Sequence, residues 1–381
     1  MATGTALISF TYQNREAALS ITTPAPPNDE EAQKRDSAEP NEYSLPGFTD
    51  LKTVDDLVIS MSTLGVSGPL ILSQSLRAGE WKGAGAQFEV YSGGLLDSSN
   101  CEHETYVEPV AVKRALFNIQ ADGRLDLTSP KSRRQIHDMY LEVVALQHEK
   151  LRSHRNIVRL LGWSLEEALH ETPLLVVELA FAPLDKIFEM TEDKLTYETM
   201  QQLFIDVGQG LDAIHDAGII HGDIKPSNIL VFENFSNTVP FVAKLADFGL
   251  SVGEVKDSMN DLVAVAGMST DWCAPEIQRD AKLSTSQLVK ADNFSYGLVL
   301  LSISCQKGQA PATKDSQTAS KMIRTHADIP ALLSSLLVTV MAHLLREDAS
   351  QRPLEVGDLL KNDTEQCLAW SVAPECDATI G

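Results

Sequence analysis

No two of the five cysteines (Cys101, Cys273, Cys305, Cys367, Cys376) form a C-x-x-C pair, and their number is odd. A structural zinc site is therefore not expected, and reduced thiols are the default. Positive charge is also scarce: 31 Lys and Arg against 53 Asp and Glu leave a formal net charge of −22. That balance argues against nucleic acid as a partner, because phosphate backbones are held by clustered Lys and Arg. Met1–Ile21 has no basic segment leading into an apolar core, so a secretory signal is not expected. Long apolar runs are missing too. Ala331–Leu345 is interrupted by Ser334, Ser335, Thr339 and His343, and is too short and too polar to cross a bilayer. The expectation is a soluble protein of the cytoplasm, with nuclear entry left open.

What is present is ample material for a core, with 43% hydrophobic residues in a chain of 381. Residues 22–50 are rich in Pro, Asp, Glu, Asn and Ser and carry no helical or strand period, which reads as a flexible extension. Leu51–Leu64 reads as a short helix. Leu70–Leu76 and Phe88–Tyr91 are two apolar runs around a glycine turn, Gly83 to Val90. Glycines at 83 and 85 let the backbone approach a phosphate closely, with amides pointing inward. Val110–Lys113 alternates as a strand and ends in a lysine. Leu141, Val144, Ala145 and Leu146 make a helical face around Glu142. The connection from Phe117 to Arg134 reads as a loop.

Leu174–Val177 is a buried strand by composition. Thr196–Ala217 is a long helix by period, through Met200, Leu203, Phe204, Val207, Leu211 and Ile214, closed by Gly218. His221–Leu230 then places an acid, a base and an amide close together. Asp223 and Lys225 are two apart and point to one side of an extended loop. Asn228 adds an oxygen of the kind hard cations accept. Ile229–Phe232 and Val242–Ala246 read as a hairpin that returns the chain and sets Asp247 near Asn228. Two oxygen donors across such a gap suit Mg²⁺ on a phosphate.

His221-Gly222-Asp223-Ile224-Lys225-Pro226-Ser227-Asn228 followed by Asp247-Phe248-Gly249 resembles the eukaryotic protein kinase family, whose motifs read His-Arg-Asp-x-Lys-x-x-Asn and Asp-Phe-Gly. The resemblance covers roughly residues 70–365. It continues through His154-Arg155-Asn156-Ile157-Val158 and through Ala274-Pro275-Glu276. Leu160-Leu161-Gly162-Trp163 is similar, more narrowly, to kinase domains of filamentous fungi. Two positions depart from the pattern: Gly222 replaces the usual Arg, and Phe88 stands where a third glycine is expected.

The resemblance implies an α+β fold of two lobes: a small, mainly antiparallel five-strand lobe with one key helix, and a larger helical lobe. It divides the chain into an extension, 1–65, a kinase domain, 66–365, with lobes meeting near residue 180, and a tail, 366–381. It implies ATP and Mg²⁺ as cofactors and a protein with a Ser or Thr acceptor as partner. Asp223 and Lys225 are then catalytic, and Asn228 and Asp247 hold the metal. Gly83, Gly85, Val90, Ala111, Lys113, Glu142, Glu178, Ala180 and Leu230 line the nucleotide, with Val177 behind it. Glu142 is the chosen partner of Lys113, and Glu149 the alternative. Ser269 bridges Asp223 and Lys225, Glu276 pairs with Arg352, and Asp292, opening an apolar helix at 294–303, anchors the catalytic loop. Gly222 has no side chain to bind a phosphate on the segment between Gly249 and Ala274.

Two other readings compete. Aminoglycoside phosphotransferases also use His-Gly-Asp and a downstream Asn, but lack counterparts of Lys225, Asp247-Phe248-Gly249, Ala274-Pro275-Glu276 and Arg352. A pseudokinase, binding nucleotide as a scaffold without transfer, would be consistent with Phe88.

Overall fold

The structure is a computed structural model that describes residues 76–84, 88–96, 106–116, 129–166, 172–191, 195–234, 239–252, 269–279 and 282–361. The expected extension at 1–65, the helix at 51–64, Gly85 and the tail at 366–381 lie outside these residues.

The described residues begin with a five-stranded sheet of order β1-β2-β3-β5-β4, built from β1 (Leu76–Ala84), β2 (Phe88–Leu96), β3 (Tyr106–Ala115), β4 (Leu160–Glu166) and β5 (Thr172–Glu178). Every neighbouring pair is antiparallel. Period-two alternation gives the sheet two apolar faces. Val110, Val112, Leu174, Val176 and Leu76 form a small outer cluster, whereas Ala111, Leu175 and Val177 join the main core. This is why Leu174–Val177 is apolar at every position.

The glycine turn is shorter than expected. Gly83 and Ala84 are still strand, paired with Val90 and Glu89, which confines the connection to residues 85–87. Of the apolar run Leu70–Leu76, only Leu76 lies among the described residues, and β1 runs onward from it.

Helix α1 (Pro130–Gln147) crosses the inner face of the sheet, with Ile136, Met139, Tyr140, Val143 and Leu146 buried. It takes in the last five residues, 130–134, of the loop expected from Phe117 to Arg134. Ser129 is the reason: its side chain accepts from Ser132 N, and Pro130 follows at the first helical position.

The second lobe is helical. After β6 (Ala182–Pro183) and the short α2 (Ile187–Thr191) comes α3 (Tyr197–Asp216), capped by Thr196. A three-stranded sheet joins β6 to β7 (Ile229–Glu233) and β8 (Phe241–Leu245). Then follow α4 (Pro275–Arg279), α5 (Thr285–Gln306), α6 (Ser316–Thr325) and α7 (Ala331–Leu344). Helix α5 starts well before Asp292, which lies inside it and does not open it. Ser284 and Gln287 form a reciprocal capping box that sets the start. Nearly all of α5 from Leu288 to Ser304 is buried, making it the axis of this lobe. Among the described residues, no helix is long and apolar enough to cross a membrane.

Candidate active site

The loop after α3 is held from beneath by α5. Asp292 is fully buried and accepts from His221 N at 2.8 Å and Gly222 N at 3.0 Å. Its Oδ2 also lies 3.1 Å from His215 Nε2. A buried carboxylate needs such donors, because an unpaired charge there costs several kcal/mol. His221 is a packing residue: its ring meets Ala246 O at 3.1 Å and packs at a tilt against Phe248, centroids 5.0 Å apart. Gly222 has φ +78, and a Cβ there would stand 2.9 Å from Leu250 O. Glycine is required on both counts.

Above this base the polar groups converge. Lys225 Nζ lies 2.7 Å from Asp223 Oδ2. Asn228 Nδ2 donates to Asp223 O at 2.9 Å and to Oδ2 at 3.1 Å. Ser269 N donates to Asp223 Oδ1 at 3.2 Å, while Ser269 Oγ accepts from Lys225 at 2.8 Å. Two stretches some 45 residues apart, 223–228 and 269, thus meet in one network. Glu276 and Arg352 make a bidentate pair, 2.5 and 2.9 Å, that fixes the start of α4.

The hairpin β7–β8 returns the chain as its sequence suggests, with Ile229 opposite Leu245. Ala246 N donates to Asn228 O at 3.0 Å, which brings Asp247 beside Asn228. Asp247 itself has φ +66, a conformation that costs an L-residue energy and that short polar side chains tolerate best. Its side chain remains 45% exposed.

From the first lobe, Lys113 reaches both oxygens of Glu142 at 2.6 Å and Asp247 Oδ1 at 3.4 Å. Glu149, exposed in the turn after α1, does not take part. Burial would lower the Lys113 pKa, but Asp247 and Glu142 outweigh it and raise it above its ordinary value. Burial likewise works to raise Asp247, yet Lys113, Lys225 and His221 hold its carboxyl below the usual range. Lys113 and Asp247 are each shifted toward the charged form, while burial raises the Glu142 pKa against the pull of Lys113.

The remaining expected positions surround this centre. Ala111 is buried and Val90, Ala180 and Leu230 pack partly buried against the same core. Val177 lies behind them, 4% exposed. Gly83 has open space where a Cβ would go. Glu178 N donates to Arg159 O, and its carboxylate accepts from Arg159 N at 2.8 Å.

Three contacts escaped sequence reasoning. Lys244 clamps the Glu178 carboxylate at 2.6 and 2.8 Å, tying β5 to β8. In sequence, Lys244 is an ordinary polar residue of a strand. Phe88 turns inward, its ring centroid 4.7 Å from Lys113 Nζ; the departure from glycine was visible but not its direction. Lys314 bonds two backbone carbonyls of the Ser269 strip, and nothing in sequence marks it.

Asp247 and Asn228 could hold a divalent cation. Asn228 commits its nitrogen to Asp223, so its oxygen is the donor available to a metal. Among the described residues there is no cluster of three or more His, Cys, Asp or Glu fit for a metal on its own. A sparse set of two oxygen donors fits Mg²⁺, which keeps waters and substrate phosphates as its other ligands.

Residues 99–363 match the family model described as protein kinase domain. The chain belongs to the protein kinase family. The match covers the centre described above, while β1 and β2, with Gly83 and Val90, precede it.

The curated relatives include a probable serine/threonine-protein kinase PBL26 of Arabidopsis thaliana, 30% identical over 243 residues, covering 57% of this chain and 55% of the relative. An L-type lectin-domain containing receptor kinase V.9 of the same plant is 28% identical over 282 residues, covering 73% and 36%. A wall-associated receptor kinase 4 is 32% identical over 229 residues, covering 58% and 26%. The chain thus spans from about a quarter to about half of these relatives' lengths. These relatives are plant proteins, so the narrower likeness to fungal kinase domains finds no support. The cytoplasmic expectation is also overturned. Receptor kinases recur among the relatives, and they assign this chain no compartment.

Proposed function

We propose that this protein transfers phosphate from ATP to serine and threonine hydroxyls of protein substrates. The observation that carries the reading is the network in which Ser269 contacts both Asp223 and Lys225. A small hydroxyl residue at that point leaves the acid and the base aligned at the place where an acceptor hydroxyl would arrive. The printed names of several relatives as serine/threonine kinases add support.

Phosphoryl transfer asks mainly for positioning and charge neutralisation. Asp223 orients the acceptor hydroxyl and takes its proton. Lys225 stabilises charge on the transferred group. Lys113, held by Glu142, orients the non-transferred phosphates. Asp247 and Asn228 hold Mg²⁺, and the metal when bound neutralises phosphate charge. Gly83 and Gly85 offer backbone amides to the phosphates. Val90, Ala111 and Leu230 sandwich the adenine, with backbone groups of Glu178 and Ala180 at its edge. The catalytic unit is taken to run over residues 66–365, between an extension at 1–65 and a tail at 366–381. The acidic net charge disfavours nucleic acid as the acceptor.

The scaffold reading has one observation in its favour. The Phe88 ring, where the family pattern has a glycine, lies against Lys113, its centroid 4.7 Å from Nζ. Incubation with labelled ATP and Mg²⁺, followed by mapping of phosphorylated sites, separates the two. Label on serine or threonine supports the kinase; bound nucleotide without transfer supports the scaffold. Label only on tyrosine would refute the hydroxyl class.

A further inference from the structure

We propose that Lys314 is a built-in anchor that holds residues 269–273 in the substrate-accepting shape, so that this strip needs no phosphate to order it. The proposal rests on the kinase reading above and extends it to regulation of the same site.

Lys314 Nζ donates to Thr270 O at 2.7 Å and to Cys273 O at 2.8 Å. Between those carbonyls the strip is a tight turn, with Trp272 N and Cys273 N both donating to Ser269 O, at 3.0 and 3.1 Å. The Cys273 thiol and Gln278 Nε2 add longer contacts to Thr270 O, each 3.3 Å. One ammonium therefore closes both ends of a turn whose first residue touches Asp223 and Lys225. Ser269, the first residue of the strip, thus stands beside Asp223, where the proposed acceptor hydroxyl arrives.

The anchor is itself fixed. Lys314 sits in the loop between α5 and α6, where Ser302 Oγ donates to Gln309 O at 2.5 Å and Asp315 caps α6 through Thr318 N at 2.7 Å. Helix α5 thus secures the site from two sides. Its Asp292 holds the loop at His221 and Gly222, and the loop at its end holds the strip opposite. Gly222 supplies no competing anchor, because no side chain fits there. Lys314 binds backbone carbonyls, which are present whatever the modification state. Charge-assisted bonds of this kind are among the stronger in water.

The test compares Lys314→Met, Lys314→Arg and the parent protein, each with and without phosphatase treatment. Two readouts are used: amide hydrogen exchange at Trp272 and Cys273, and steady-state kinetics on a degenerate peptide pool with a central Ser or Thr. Lys314→Met should exchange faster and raise KM for peptide by about ten-fold or more, with KM for ATP nearly unmoved. Lys314→Arg should restore both. Phosphatase should leave the exchange of the parent protein unchanged. Unchanged exchange in Lys314→Met would overturn the proposal, as would loosening of the parent protein by phosphatase. A parent protein that never labels peptide would refute the kinase reading, while the exchange data would still decide the anchor.

Discussion

Lys113 reaches both carboxylate oxygens of Glu142 at 2.6 Å, with the Glu142 side chain only 1% exposed. Burial works against the charge on each; Asp247 and Glu142 raise the Lys113 pKa against it, and Lys113 is the group that opposes it at Glu142. The two side chains therefore act as a unit. Lys113→Met and Glu142→Gln should each impair phosphate transfer, and the double variant should cost little more than Lys113→Met alone. Single-turnover rates for the four proteins measure the coupling. Fully additive losses would show that Glu142 does not hold the lysine.

Asp223→Asn should leave nucleotide affinity nearly intact while transfer falls by about 10²–10⁴-fold, the usual loss with a general base. Asn preserves the size of the side chain and can still meet Ser269 N. It cannot take a proton. Nucleotide binding by calorimetry, set beside turnover, checks the split. Collapse of binding with turnover preserved would misplace the residue.

The pH response follows from Asp247 and Lys113. Asp247 is held below its ordinary 3.8, so its contribution is present above that value and lost only as pH falls through the lower folded one. Lys113 is raised above its ordinary 10.5, so its contribution is present below that value and lost as pH rises through the higher folded one. Neither titrates between. Nucleotide affinity should therefore show no midpoint belonging to Asp247 or Lys113 between about pH 5 and about pH 9. Asp247→Asn should change its level and not its shape. A midpoint near neutrality that disappears in Asp247→Asn would contradict the assignment.

Gly222 and Gly218 make a controlled pair. Both have positive φ, +78 and +74, but only Gly222 has a backbone atom, Leu250 O, 2.9 Å from where a Cβ would stand. Gly218→Ala should lose about 1–2 kcal/mol, the backbone cost alone. Gly222→Ala should lose more, and should slow transfer by displacing Asp223. Urea unfolding of both variants gives the difference. Equal losses would mean that the loop yields freely at Leu250.

Local chemistry determined much of this protein before any folding is considered. Asp223, Lys225 and Asn228 sit within one short loop, so their spacing alone brings them together. The hairpin from Ile229 to Leu245 is likewise local, and it carries Asp247 to Asn228. The period of α3 and the alternation in β3 could be read directly, because each depends only on which residues share a face. Glu142 was legible only as one of two candidates. The choice between Glu142 and Glu149 needed the end of α1, where the helix stops at Gln147 and leaves Glu149 in an exposed turn.

Other features depended on the tertiary structure. Ser129 and Ser284 begin helices earlier than the apolar pattern shows, because a cap is set by one backbone contact and not by a period. The Lys244–Glu178 clamp joins residues 66 apart in sequence, and Lys314 meets carbonyls more than 40 residues away. A lysine on a strand or in a loop has the same sequence appearance whether it points to water or to a buried acceptor. Only the tertiary structure, which brings β8 to β5 and the loop after α5 to residues 270–273, decides which of them it finds.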